Sequence, residues 1–144
     1  TGNIDAIERL AGYRRAMLEA GAADPSLEIA GDFTQPGGHA AALRLLALQP
    51  RPEAVFVAND HMAVSAIAAW REHGLLSPRD IAVGGFDDIA MGRFLTPTLS
   101  TVRVDLDALG RLALERLRTR PAGPGRVDRL PATLVVREST GPAR

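Results

Sequence analysis

The sequence predicts an α/β domain, a doubly wound parallel sheet with helices on both faces. Three observations carry that expectation. Ala54-Val55-Phe56-Val57-Ala58 is an apolar run that stops abruptly at Asn59-Asp60, and Ile81-Ala82-Val83-Gly84-Gly85-Phe86 stops as abruptly at Asp87-Asp88. Short runs without polar alternation are what parallel strands covered on both faces look like. Between the two runs, residues 61–73 place apolar side chains at helical spacing, as the crossover helix of a parallel pair would. Helical and strand-like segments alternate along the rest of the chain, the pattern of a sheet layered by helices.

Element by element, a first helix is expected over residues 6–20, capped by Asp5 or Asn3, with Ile7, Leu10, Ala11, Met17 and Leu18 as an approximate stripe and Gly21 as its stop. Asp24-Pro25 marks a turn. Residues 27–33 alternate and predict a strand, which Pro36-Gly37-Gly38 breaks. An Ala/Leu-rich helix is expected over 39–49, then a rigid Pro50-Arg51-Pro52 turn. Residues 54–58 form the next strand. Asp60 is placed to cap the helix over 61–73, whose Ala63, Ala66, Ile67 and Trp70 share one face. Gly74 and Pro78 end it. Residues 81–86 are a strand, 87–100 a loop and 101–104 a short strand. Asp105 or Asp107 opens a last helix reaching about residue 120, with Leu106, Leu109, Leu112, Ala113 and Leu117 as a strong stripe. Residues 121–125 read as a flexible connector, 130–137 as the final strand, and the polar tail after Ser139 is expected to fray.

Composition narrows the function. The chain has 144 residues, 46% of them hydrophobic, enough for one domain with a core. Its formal net charge of zero argues against this segment gripping nucleic acid, which needs a basic face. All 17 basic residues are arginine, so Schiff-base and lysine-dependent phosphate chemistry is excluded. Cysteine is absent, which removes disulfides, thiolate metal sites and thiol catalysis. No apolar run is long enough to span a membrane, and the opening Thr1-Gly2-Asn3-Ile4-Asp5 leads straight into a helix rather than a signal peptide.

Ligands of open α/β sheets bind beyond the carboxyl ends of the strands. That rule puts Asn59, Asp60, Asp87 and Asp88 at a candidate site. Asp60 is expected to be consumed as a helix cap, which leaves the Asn59 amide free for a ligand. Asp87 is suited to accept two sugar hydroxyls, and Asp88 to cap the segment after it. The three histidines, His39, His61 and His73, lack metal-ligand spacing, so neither a metal nor another cofactor is expected. On spacing alone Arg9 reads as a surface arginine or as a fork onto a ligand oxygen, and Phe33 as core or as a stacking face for a sugar. No nucleophile elbow, Ser/His/Asp set or phosphate-cradling glycine loop occurs, and no enzyme activity is expected.

Taken in order, these residues resemble the lactose-repressor (LacI/GalR-type) family of bacterial transcription regulators. The resemblance runs from about Arg9 to Thr140. It is carried by Arg9-Leu10-Ala11-Gly12-Tyr13, Gly31-Asp32-Phe33, the stretch 52–63 around Asn59-Asp60, Gly74-Leu75, the stretch 78–88 ending in Asp87-Asp88, Thr96-Pro97-Thr98-Leu99-Ser100-Thr101-Val102, Leu109-Gly110 and Leu130 through Thr140. It implies a periplasmic-binding-protein-like effector domain with two lobes and a cleft, a helix-turn-helix headpiece, and a dimeric or larger cytoplasmic regulator that closes on a small-molecule effector, a sugar or sugar derivative. By the family's pattern Arg9, Phe33, Asn59 and Asp87 contact effector, and Asp5, from the stretch 3–5, also lines the cleft. The same pattern assigns residues 1–104 and 129–138 to the C-terminal lobe and 105–120 to a helix of the other lobe. Headpiece and first lobe are expected outside these residues, so operator DNA would be met only through the headpiece. The rival reading is a periplasmic sugar-binding protein of a transporter; the Leu134-Val135-Val136-Arg137-Glu138-Ser139-Thr140 ending favours the regulator.

Overall fold

The computed structural model describes residues 3–119 and 127–141; the expected connector 121–125 lies outside them. The helices are α1 (Ile4–Glu19), α2 (Gln35–Leu46), α3 (Asp60–Glu72) and α4 (Leu106–Thr119), and the strands are β1 (Ala54–Phe56), β2 (Ala82–Phe86), β3 (Ser100–Val104) and β4 (Ala132–Val135). Short 3-10 turns occupy Pro25–Leu27, Ala90–Arg93 and Glu138–Thr140. The sheet runs β1-β2-β3-β4, with the first two pairings parallel and β3–β4 antiparallel. The expected α/β class therefore holds, as a mostly parallel sheet closed on one side by an antiparallel strand.

Helices α2 and α3 cover one face of the sheet, and α1 reaches over the other through Arg9. Along β2, Val83 and Gly85 are buried towards α3, whereas Phe86 points the other way, under Arg9 of α1. The core lies on the α2–α3 side, where Ala42, Leu45, Ala63, Ala66, Ala69, Trp70, Ile81, Val83 and Leu99 form one buried cluster. Small side chains let α2 and α3 approach closely. At Gly38 an added Cβ would stand 2.6 Å from the Met62 Cα, so the contact tolerates only glycine. Trp70 fills the space between helix and sheet, and its indole N–H donates to the Ala42 carbonyl at 3.1 Å.

Several expected elements are corrected. Residues 27–33 are not a strand. Asp24 caps the 3-10 turn at Pro25–Leu27, and the polar groups of the following segment find other partners. The Ala30 carbonyl accepts from the Arg44 guanidinium, and the Phe33 carbonyl accepts from Asn59 Nδ2 at 3.2 Å. Alternation states which face a residue would take, but a strand exists only where a neighbour supplies the ladder. Helix α2 starts at Gln35 rather than at residue 39, because Thr34 caps it and Pro36 occupies its first turn, where a missing N–H costs nothing. The loop 87–100 contains a 3-10 turn, and β4 is shorter than the expected 130–137.

Ser139 to Gly141 are tied into the fold; the rest of the tail expected to fray, 142–144, lies outside the described residues. Ser139 is fully buried, donating to the Val83 carbonyl at 2.6 Å and accepting from the Ser100 N–H at 2.8 Å. Thr140 Oγ1 lies 2.8 Å from Ser100 Oγ. A polar segment reads as frayed only until buried backbone groups of other strands are seen to need its hydroxyls.

Helix α1 is capped by Asn3, whose Oδ1 accepts from Asp5 N–H at 2.9 Å, so Asp5 is not the cap. Helix α4 carries the expected apolar stripe but buries none of it: Leu106 is 70% and Leu117 75% exposed. No helix among the described residues is long and apolar enough to cross a membrane.

Candidate ligand-binding site

The carboxyl ends of β1 and β2 bring four of the expected site residues together. Arg9, one turn into α1, reaches over the sheet. Its Nη1 donates to the Ala58 carbonyl at 2.6 Å, its Nη2 pairs with Asp87 Oδ1 at 3.4 Å, and its guanidinium carbon lies 3.8 Å from the Phe86 ring centroid and 5.7 Å from that of Phe33. The planar cation is thus held between aromatic faces and a carboxylate, an arrangement that suits arginine rather than lysine.

Asn59 does not have the free amide expected of it. It, not Asp60, caps α3: its Oδ1 accepts from the Met62 N–H at 2.9 Å, and its Nδ2 donates to the Phe33 carbonyl at 3.2 Å. A primary amide carries two donors and two acceptor lone pairs, so one of each remains for a ligand. The cap went to Asn59 because it holds the extended backbone an N-cap needs, whereas Asp60 is already helical.

Asp60 is used elsewhere. Fully buried, it accepts from Thr101 Oγ1 at 2.7 Å and from the Ile89 N–H at 3.0 Å. Burial pushes its carboxyl above the usual range, against the pull of those hydrogen bonds, and the Asp88 charge adds to the rise.

Phe33 (φ 67°), Asp87 (φ 113°) and Asp88 (φ 52°) all sit in the left-handed region without being glycine. Such residues cost of order 1–3 kcal/mol each and persist where surrounding contacts over-determine them, commonly at ligand sites. Around Phe33 the contacts are the Asn59 bond to its carbonyl and an Asx turn in which Asp32 Oδ1 accepts from the Thr34 N–H at 2.9 Å.

Asp87 and Asp88 divide the work. Burial pushes Asp87 up; Arg9 opposes the rise, while Asp60 and Asp5 reinforce it. Among the described residues, the Arg9 pair is its only charged side-chain contact within 4 Å, so the carboxylate keeps acceptor capacity facing outward. Asp88 does not cap the following turn, which has no side-chain cap. Its buried carboxylate instead takes Arg137, Arg103 at 2.6 Å and Arg93 at 3.3 Å. Burial would raise it, but the three guanidinium partners outweigh that and hold it below the usual carboxylate range. A carboxylate so engaged by cations is a poor metal ligand, which removes Asp87-Asp88 as a paired metal or acid/base site.

Asp5 is exposed one turn before Arg9, near enough for its charge to act on Asp87. A hollow of about 620 Å³ between α1 and the sheet is lined by Asp5, Glu8, Arg9, Phe56, Phe86 and Val104 among others. The larger hollow, about 1150 Å³, lies at the other end of α3 around Leu76, Pro78 and Pro97 and contains none of the candidate residues. Geometry, not volume, marks the site. The sequence reading missed Phe86, Thr101 and Arg137. Only the position of Phe86 at the end of its strand signalled any of them; the other two are recruited across the fold.

The chain matches the model of the periplasmic binding protein-like domain over residues 3–140. It is 44% identical over 128 residues to the ribose operon repressor of Escherichia coli (strain K12), covering 86% of this chain and 39% of that one. Among solved structures it is similar to a transcriptional regulator in complex with cellobiose, at 36% identity and a TM-score of 0.82, covering 92% of this chain and 42% of the other. It is also similar to the lac repressor dimer bound to operator and the anti-inducer ONPF, at 30% identity and a TM-score of 0.84, covering 97% of this chain and 49% of the other. The chain spans about two-fifths of the length of the curated relatives it matches. Two of these relatives are named as repressors and the third as a transcriptional regulator. With the motifs, the sheet and the neighbours in agreement, this chain belongs to the periplasmic binding protein-like domain family, within its branch of LacI-type transcriptional regulators.

Proposed function

We propose that the chain is the C-terminal effector-binding lobe of a cytoplasmic, sugar-responsive regulator, with Arg9, Phe33, Asn59 and Asp87 contacting the sugar and Asp5 at the rim. The carrying observation is the convergence of Arg9, Phe33 and Asp87 within one cluster, with Asn59 bonded to the Phe33 carbonyl. Aromatic faces, a forked cation and a carboxylate beside an amide form the set that takes a hydroxylated ring, through stacking and paired hydrogen bonds. The names of the relatives support the same reading over a transport protein: a ribose operon repressor and a regulator in complex with cellobiose.

The charges favour a neutral sugar. Arg9 is already engaged by Asp87 and the Ala58 carbonyl, and Asp5 adds a second carboxylate nearby. A phosphorylated sugar would meet uncompensated negative charge. In the intact regulator the effector would act by binding one lobe arrangement better than another and so shifting its population. The regulator is a homodimer or larger homo-oligomer, reaching operator DNA through a separate headpiece.

The test is calorimetric titration of the full-length regulator with D-ribose, cellobiose and D-ribose 5-phosphate. A neutral sugar is expected to bind at least about tenfold more tightly than the phosphate ester. Asp87→Ala is expected to weaken that binding at least about tenfold, since a hydrogen bond to a charged acceptor contributes about 1.5–3 kcal/mol, while the melting temperature stays nearly unchanged. Preferential binding of the phosphate ester, or unaltered affinity in Asp87→Ala, would sink the reading.

Residues 105–120 are assigned to a helix that docks on the other lobe, which accounts for Leu106, Leu109, Leu114 and Leu117 being exposed on α4. Hydrogen exchange on the full-length regulator is expected to show α4 protected. Sedimentation of the 144-residue chain alone is expected to show self-association. A clean monomer at high concentration, or an unprotected α4 in the full-length protein, would contradict the assignment.

A further inference from the structure

We infer that Asp60 is a positioning residue: its buried carboxylate holds the Asp87-Asp88-Ile89 turn in place and thereby sets where the Asp87 side chain stands. The inference rests on the reading of Asp87 as an effector contact.

The geometry is specific. Asp60 Oδ2 accepts from the Ile89 N–H at 3.0 Å, and Asp60 Oδ1 accepts from Thr101 Oγ1 at 2.7 Å. The same Thr101 Oγ1 accepts from the Asp88 N–H at 3.3 Å. One carboxylate at the start of α3 therefore ties down two consecutive amides of the turn, one directly and one through a hydroxyl. The preceding amide, that of Asp87, is fixed by the Val102 carbonyl at 2.9 Å.

The turn needs such holding. Asp87 and Asp88 both have positive φ, a backbone that consecutive non-glycine residues hold only where surrounding contacts over-determine it. The strand beneath is cut to fit: a Cβ at Gly85 would overlap Asp60 Oδ1, so glycine at that position leaves room for the carboxylate.

Capping does not explain Asp60, because Asn59 caps the helix. Its partners lie 29 and 41 residues away, on the turn and on β3. Adjacent residues at one helix end thus hold two walls of the site, Asn59 through the Phe33 carbonyl and Asp60 through the Asp87 turn.

The test uses the full-length regulator, with Asp60→Asn and Thr101→Val each made alone and in an Asp87→Ala background, and D-ribose as the probe. Asparagine keeps the shape but removes the charge that strengthens both bonds, and its amide N–H must face either the Ile89 N–H or the Thr101 hydroxyl, so the turn is held less firmly. Each single variant is expected to weaken ribose binding about tenfold, yet to change it less than about twofold when Asp87 is already alanine, since groups that act through one another are not additive. Thr101→Ser, which keeps the hydroxyl, is expected to stay within about twofold of the parent. Exchange of the Ile89 amide is expected to accelerate at least about tenfold in Asp60→Asn, while amides of α2 do not move.

Equal losses with and without Asp87, or an unchanged Ile89 amide in folded Asp60→Asn, would overturn the positioning role. The exchange measurement decides it even if ribose does not bind. If Asp87→Ala alone leaves ribose affinity unchanged, the effector-site reading fails, and the Ile89 exchange then decides by itself whether Asp60 holds the turn. Should Asp60→Asn not fold, Thr101→Val carries the same comparison.

Discussion

Asp88→Ala is expected to destabilise the folded chain by about 3–5 kcal/mol at pH 7, the cost of removing one partner from a buried charged cluster. The Asp88 side chain is 3% exposed and meets three guanidinium groups. Arg93 and Arg103 are half-exposed and can turn to water, but Arg137 is 13% exposed and also donates to the Leu99 carbonyl at 2.7 Å. Arg137 would be left with its charge buried and half its partners gone. Denaturant melts at pH 7 check the magnitude, and a loss under about 1 kcal/mol would show that the arginines relax freely.

The pH dependence carries a sign. Asp88 is held below its unfolded value, so its stabilising contribution is present above the unfolded carboxylate range, near pH 4, and is lost as pH falls through the lower folded value. The gap between Asp88→Ala and the parent is therefore expected to be full at neutral pH and to close in acid. Asp60 and Asp87 are shifted upward and act oppositely: their contribution is present below the unfolded range and is lost as pH rises through the folded value.

Trp70→Ala is expected to cost about 3–5 kcal/mol, the range for emptying a large buried aromatic site. Trp70 is 2% exposed at the meeting point of α2, α3 and the sheet. Half of the other residues in its buried cluster, Ala42, Ala63, Ala66 and Ala69, are alanines on α2 and α3, with little side chain with which to fill the void. Truncation also leaves the Ala42 carbonyl without its indole donor. Trp70→Phe removes the N–H but keeps a six-membered ring in the site, so much less packing is lost with it, and it is expected to lose less than half as much. Equal losses in the two variants would place the energy in the hydrogen bond rather than the packing.

Much of this molecule is legible along the chain. Strands β1 and β2 lie within the apolar runs 54–58 and 81–86, β1 ending two residues early, and the helix between them buries its Ala63, Ala66 and Trp70 face, because a buried parallel strand and an amphipathic helix are written in consecutive residues. The convergence of Arg9, Phe33 and Asp87 followed from the family's motifs. Spacing alone left Arg9 and Phe33 ambiguous, since nothing local states that a guanidinium on α1 will lie over Phe86.

The corrections share one cause. The alternating segment 27–33 specifies a face but not a neighbour, and a ladder depends on another strand. Asn59 and Asp60 exchanged their expected roles because a cap is decided by one residue's backbone angle, while the better buried acceptor is decided by which amides, those of Ile89 and Asp88, arrive from elsewhere. Asp88 became the centre of three arginines rather than a cap, and Ser139 a buried link to Val83 and Ser100, for the same reason. The sequence by itself determined which segments are helix and strand and which residue types stand at the strand ends. The tertiary structure alone decided which of those polar groups keep hydrogen-bonding capacity and which are consumed within the protein, because a buried hydrogen bond depends on partners that the linear order does not place side by side.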